Sequence, residues 1–253
     1  MIAFPRIDLG ASTIQMRELT VGESLALAKV PERLQEARIT KFLGTAIGDE
    51  DKARKLTVQE RYYLLVQYLA VQEDNPLAMN VNYGLYLLPR VTEWRESVAG
   101  IAAPVWRQLR GHHVELLELL CENVADWLTC AMAVQCDLAG WAALPGDDAT
   151  QTELSEVVRA RFTALQDLPG SEFEALAAEW SAACMAMSRF MRTGYDNKGI
   201  TILPVNGGAD DAPARFRPST AFGRVIRELV EYLDEPREPN DDGLSDDDGG
   251  SPE

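Results

Sequence analysis

Apolar residues between positions 173 and 191 repeat with the period of an α-helix. Phe173, Leu176, Ala177, Trp180, Cys184, Met187 and Met191 fall at i, i+3, i+4, i+7, i+11, i+14 and i+18. A segment with one such stripe must lay it against a second apolar surface, which points to helix-on-helix packing. The same signal recurs upstream. Tyr62, Leu65, Val66 and Leu69 sit at i, i+3, i+4 and i+7, while Leu117, Leu120, Cys121, Val124, Leu128 and Ala131 form a stripe within 114–140. Ser/Thr-x-x-Glu capping forms at Thr20-Val-Gly-Glu23, Thr57-Val-Gln-Glu60 and Ser171-Glu-Phe-Glu174 mark helix starts.

The spacing predicts helices over about 32–43, stopped by Gly44, and over 57–70, then almost continuous helix from 94 to 193. Ile2-Ala-Phe and Thr13-Ile-Gln-Met flank a turn at Asp8-Leu-Gly-Ala and predict a β-hairpin. Residues 194–218 are rich in Gly, Asn and Pro and read as a loop or linker. Phe222, Val225, Ile226, Leu229, Val230 and Leu233 then make a complete amphipathic stripe, ended by Glu235-Pro236. The expected fold class is mainly α, a helical bundle with a short N-terminal β-hairpin and a disordered acidic C-terminal tail. Its divisions are an N-terminal unit over 1–95, the bundle over 96–193, the linker over 194–218, the amphipathic helix over 219–235 and the tail over 236–253.

Charge is concentrated at one end. The 253 residues have a formal net charge of -16. Asp234 to Glu253 hold nine acids and one base (Arg237), so the last 20 residues account for -8 of it. The body is only mildly acidic, which gives no basic surface for nucleic acid. The longest uncharged helical candidate, Trp127 to Cys136, has ten residues, far short of the ~20 needed to span a membrane. The first residues lack the basic-then-apolar pattern of a signal peptide, so a cytoplasmic location is expected.

Candidate chemistry is sparse. Cys121, Cys130, Cys136 and Cys184 fit no zinc spacing and read as small core residues, and no metal or cofactor is expected. His112 and His113 are adjacent, hence about 100° apart on a helix, and read as a helix-start or surface pair. Gly194–Gly199 and Asn206-Gly-Gly208 lack the pattern of a phosphate-cradling loop. Glu115/Glu118, Glu153/Glu156 and Glu172/Glu174 read as solvated helix faces. Met185, Met187 and Met191 beside Phe190 read as core, with an adaptable docking surface as the alternative. The amphipathic helix is the preferred partner-binding element, through Phe222, Val225, Ile226, Leu229 and Leu233. It either docks on the body or lies in a partner's groove.

Several N-terminal elements occur together: Phe4-Pro-Arg-Ile with Ile14-Gln-Met, then Arg17-Glu-Leu-Thr-Val-Gly-Glu23 opening a helix. After a charged turn at Asp49-Glu-Asp-Lys comes Leu56-Thr-Val-Gln-Glu60, opening Arg61-Tyr-Tyr-Leu-Leu-Val-Gln-Tyr-Leu-Ala70. Over about residues 1–90 this resembles the baseplate hub assembly chaperone family of tailed bacteriophages and related small tail-assembly proteins. The resemblance implies a non-enzymatic phage protein that helps build the tail or baseplate in the host cytoplasm, with other tail or baseplate proteins as partners. It also implies that Arg17, Thr20, Glu23, Leu56, Thr57 and Glu60 serve as structural caps and core. Two alternatives stay open: a permanent tail or baseplate component of the virion, and a helical enzyme built from dispersed carboxylates and the histidine pair.

Overall fold

The structure is a computed structural model that describes residues 2–72, 82–101, 103, 105–205 and 212–226. Helices take 51% of the described residues, and small antiparallel sheets accompany them. The N-terminal hairpin pairs β1 (Arg6–Asp8) with β2 (Thr13–Gln15), with Ile7 opposite Ile14. Both isoleucines are buried, whereas their neighbours along each strand are exposed. Gly10 closes the turn at φ +83°, and the Arg189 guanidinium lies where a Cβ would stand. Only glycine meets both demands.

Four helices follow: α1 (Val21–Ala28), α2 (Gln35–Ile47), α3 (Glu50–Lys55) and α4 (Val58–Gln72). Gly44 does not stop α2 as its composition suggested. It lies inside the helix, where the Glu50 Cα comes within 2.7 Å of the place a Cβ would take, a contact that glycine avoids. Gly48, left-handed at φ +83°, ends the helix instead, its N–H donating to Gly44 O. α4 is buried on two sides. Tyr62, Leu65, Val66 and Leu69 are covered, as are Leu64 and Tyr68.

The region from 94 to 193 departs from the expected run of helix. β3 (Ser97–Ala99) and β4 (Val105–Arg107) pair, and β5 (Cys136–Asp137) adds to β4 on the other side. Trp106, fully buried at the centre of β4, fixes this sheet on the core. The single helix expected over 114–140 is two, α5 (Gly111–Leu120) and α6 (Val124–Gln135). Cys121 turns extended at the end of α5, and the Asn123 side chain then accepts the N–H groups of Ala125 and Asp126 to start α6. α7 (Gln151–Gln166) opens with a capping box at Thr150.

α8 (Gly170–Ala186) carries the 173–187 stripe on its covered side, with Leu176 and Met187 buried and Phe173, Ala177, Trp180 and Cys184 half-buried. Its start differs from the Ser171 capping form. Pro169 is the N-cap, its carbonyl accepts from Glu172 and Phe173, and no side chain caps the end. Met187, Met191 and Phe190 are core, while Met185 is exposed.

The expected linker over 194–218 begins inside a hairpin of β6 (Arg192–Asp196) and β7 (Gly199–Leu203). Asp196 Oδ1 accepts the Lys198 N–H and Gly199 sits at φ +108°, so the Asn/Gly composition is turn chemistry. Ile200 and Ile202 are buried, and an isolated bridge joins Ile202 to Ala214. One buried cluster takes side chains from Phe4, Phe42, Tyr62, Leu117, Val158, Met191, Ile202 and Phe216, so segments from both sides of residue 95 share a core. A second cluster surrounds Trp106, Met132, Leu165, Leu176 and Met187, and Trp180 packs against both. All four cysteines are free thiols, Cys130 and Cys136 buried and the other two half-buried. Among the described residues, no helix is long and apolar enough to cross a membrane. The expected acidic tail over 236–253 lies outside the described residues.

Candidate functional site

Of the amphipathic helix expected over 219–235, residues 221–226 are described and are helical. The segment leading into it is held firmly. Phe216 is buried against Tyr83 and Tyr86, and its carbonyl accepts from Gln35 Nε2 at 2.8 Å. Thr220 caps the helix: Oγ1 accepts the Gly223 N–H at 3.1 Å and its carbonyl accepts the Arg224 N–H at 3.0 Å. Arg224 Nη1 then donates to Gln72 Oε1 at 2.6 Å, tying the first turn to the end of α4. Phe222 is half-buried, but Val225 and Ile226 keep 48% and 44% of their surface in solvent. The base of the helix is therefore anchored on the body, with two apolar side chains uncovered. Leu229 and Leu233 lie outside the described residues.

The capping forms sit in contrasting surroundings. At Thr20, the hydroxyl accepts the Glu23 N–H and the Glu23 carboxylate accepts the Thr20 N–H, at the protein surface. Arg17 pairs with the same carboxylate at 2.6 Å and holds Glu23 down at about 2. Thr57 and Glu60 exchange the equivalent bonds while both are buried. Leu56 beside them is buried too, and its carbonyl accepts the Gly111 N–H.

A polar network inside the core went unseen in the sequence. Arg61, fully buried, donates from Nη2 to the Glu36 carbonyl at 2.8 Å and pairs with the Glu36 carboxylate at 3.2 Å; Nη1 donates to Thr40 Oγ1 at 2.9 Å. Tyr62 donates to Glu36 Oε1 at 2.6 Å. Thr40 in turn donates to Glu115, which also pairs with Arg54 at 3.3 Å. Burial pushes the Glu36 carboxyl up despite Arg61, and pushes the Tyr62 hydroxyl well above its ordinary value. Glu118 closes the network. Its two oxygens accept the N–H groups of Glu36 at 2.8 Å and Ala37 at 3.3 Å, in the first turn of α2. Burial, with Glu36 nearby, pushes Glu118 up to about 7.

Glu118 also lines a cleft of about 450 Å³ with Cys121, Trp127, Lys198, Arg215 and Arg217. Arg215 donates to the Asp196 carboxylate and to the Lys198 carbonyl. The histidines contribute nothing to this cleft. Both lie in the first turn of α5, where His113 Nδ1 accepts the Arg110 N–H at 3.1 Å and burial keeps the ring neutral. His112 Nδ1 lies 3.3 Å from the Arg54 carbonyl, and burial lowers this ring as well. Among the described residues, no group of three or more His, Cys, Asp or Glu side chains is arranged to hold a metal ion.

Sequence reading missed the Glu36–Arg61 pair, and it took Glu115/Glu118 for a solvated face, whereas both carboxylates are turned onto α2 and largely covered. The available signal was a charged residue on the apolar face of each helix, and only the three-dimensional fold shows which charge answers which. Comparison with protein-family models, curated proteins and solved structures gave no match.

Proposed function

We propose that the chain is a non-enzymatic assembly factor for the tail or baseplate of a tailed phage, acting by protein–protein binding in the host cytoplasm. The observation that carries this reading is the helix opening at residue 221. Its base is fixed to the body through Thr220 and Arg224, yet Val225 and Ile226 are left in solvent. An anchored helix with an uncovered apolar side is suited to a partner's groove, because its orientation is set before the partner arrives. The N-terminal resemblance supplies the class of partner, other tail or baseplate proteins.

The test uses the tagged full chain as bait in infected-cell lysate, beside a Val225→Asp/Ile226→Asp variant, with quantitative mass spectrometry of complexes and finished particles. Wild type should capture tail or baseplate proteins, the variant should lose them, and mature particles should lack the chain. A fixed copy number in particles would instead make it a structural component. Capture of no phage protein would overturn the reading.

A further inference from the structure

The cleft of about 450 Å³ beside Glu118 gathers four cations in a chain whose formal net charge is -16. Arg33 stands in the turn before α2, Lys198 in the β6–β7 turn, and Arg215 and Arg217 on the segment that follows β7. Their supports are fixed. The Leu34 N–H donates to the Pro31 carbonyl at 3.0 Å, and Asn197 Oδ1 accepts the Val124 N–H at 3.1 Å, at the start of α6. The Phe216 carbonyl, next to Arg217, is held by Gln35 Nε2. Arg215 commits its guanidinium to Asp196 and to the Lys198 carbonyl, which braces the turn.

The other three cations are unanswered. Among the described residues, the side chains of Arg33, Lys198 and Arg217 make no hydrogen bond and no ion pair. Two acids share the wall with them. Glu118 turns both oxygens onto the N–H groups of α2, and burial pushes it up to about 7. That leaves the exposed Glu32 alone against three cations, a surplus of two positive charges. Trp127 and Cys121 give the wall an apolar side. Like charges gathered around one concavity repel each other, and an anion seated between them removes that repulsion.

We propose that this cleft binds a small phosphate-bearing molecule, a phosphomonoester or a diphosphate, through Arg33, Lys198 and Arg217. A phosphate group presents several acceptor oxygens and about two negative charges near neutral pH, which two guanidinium forks and one ammonium can share. A carboxylate has only two oxygens, and one guanidinium fills both. The surplus of two positive charges therefore matches a phosphate dianion. Trp127 and Cys121 would face the organic part of an ester, and the volume leaves room for it beside the phosphate. The inference is independent of the assembly role proposed above, since Val225 and Ile226 do not line this cleft.

The experiment titrates the full chain with inorganic pyrophosphate by calorimetry at fixed ionic strength, with citrate as the carboxylate control. Wild type should show one saturable site for pyrophosphate and bind citrate at least about tenfold more weakly. Lys198→Gln/Arg217→Gln should weaken pyrophosphate by at least about tenfold. Arg90→Gln/Arg159→Gln removes two exposed cations that do not line the cleft, and should leave the affinity unchanged. A second measurement on wild type needs no variant to fold. Lysine acetylation read by mass spectrometry should slow at Lys198 when pyrophosphate is present, with Lys41, Lys52 and Lys55 unaffected. Absence of saturable binding, equal losses in the two double variants, equal affinity for citrate, or no selective protection of Lys198 would overturn the proposal.

Discussion

The carboxylate of Glu118 takes the backbone N–H of Glu36 at 2.8 Å, across 82 residues of sequence. α2 has no side-chain cap of its own, since its N-cap residue is Leu34. An acid from the last turn of α5 fills that place and meets the positive end of the α2 dipole. The bond joins two helices that also share the Thr40–Glu115 contact, so this seam is polar as well as apolar.

That arrangement makes stability depend on pH with a definite sign. Glu118 is pushed up to about 7 in the fold, from an ordinary value of 4.5. A carboxyl raised on folding binds more protons folded than unfolded between those values, so its contribution falls as pH rises from about 4.5 to about 7. Other acids pull the other way: Arg17 and the Thr20 cap hold Glu23 low. The difference between wild type and Glu118→Gln isolates the effect. Wild type is expected to lose about 1–2 kcal/mol relative to the variant between pH 5 and pH 8, after discounting for partial exposure. Urea unfolding at four pH values reads it, and parallel curves for the two proteins would refute the assignment.

The Arg61–Glu36 pair is expected to be costly to break from one side and cheap to replace whole. Arg61→Met leaves the Glu36 carboxylate buried with only the Tyr62 hydroxyl as a side-chain donor, and should destabilise by about 3–5 kcal/mol. Glu36→Gln in the same chain removes the stranded charge and should recover at least about 1 kcal/mol of that loss. The Thr40 hydroxyl, which accepts from Arg61 and donates to Glu115, ties the pair to α5. A double-mutant cycle in urea gives the coupling, and strict additivity would count against a shared network.

Asn123 makes the break between α5 and α6. Its side chain accepts two N–H groups, from Ala125 at 2.9 Å and Asp126 at 3.1 Å. Asn123→Ala should cost about 1 kcal/mol, as loss of an N-cap does. Hydrogen exchange should accelerate at Ala125 and Asp126 while Leu116 and Leu117 in α5 keep their protection. Uniform loss across both helices would mean that they behave as one unit after all.

These contrasts show what a sequence can carry. The α8 stripe was legible because its apolar residues keep the helical period over four turns. β3 and β4 are three residues each, too short for alternation to stand out, and their place depends on Trp106 finding a pocket made by α6 and α8 residues. The Asp196-Asn-Lys-Gly199 turn was visible as turn chemistry, but of its flanks Arg192-Thr193 read as the end of the bundle, and Gly194-Tyr195 and Ile200-Thr-Ile202 as linker, without the core they pack against. Phe222, Val225 and Ile226 were placed on the correct element; Glu118 and Cys121 gained meaning only when α2, α5, α6 and the β6–β7 turn came together around one cleft.

The two Thr-Val-x-Glu caps are nearly the same in sequence and stand in opposite surroundings, so identical substitutions should separate them. Thr20→Ala removes an acceptor at the surface, where water can take the freed Glu23 N–H, and should cost about 0.5–1 kcal/mol. Thr57 is 1% exposed and Glu60 6% exposed, so Thr57→Ala strands a donor that water does not reach. The penalty then includes desolvation of the unpaired N–H, and about 2–3 kcal/mol is expected. Thr57 also bridges to Arg110 at the start of α5, and the Val58 N–H donates to the Leu109 carbonyl, so the damage should spread to that helix. Thermal unfolding of both variants beside wild type gives the comparison. Equal losses would mean that the buried cap is relieved by a rearrangement of α4.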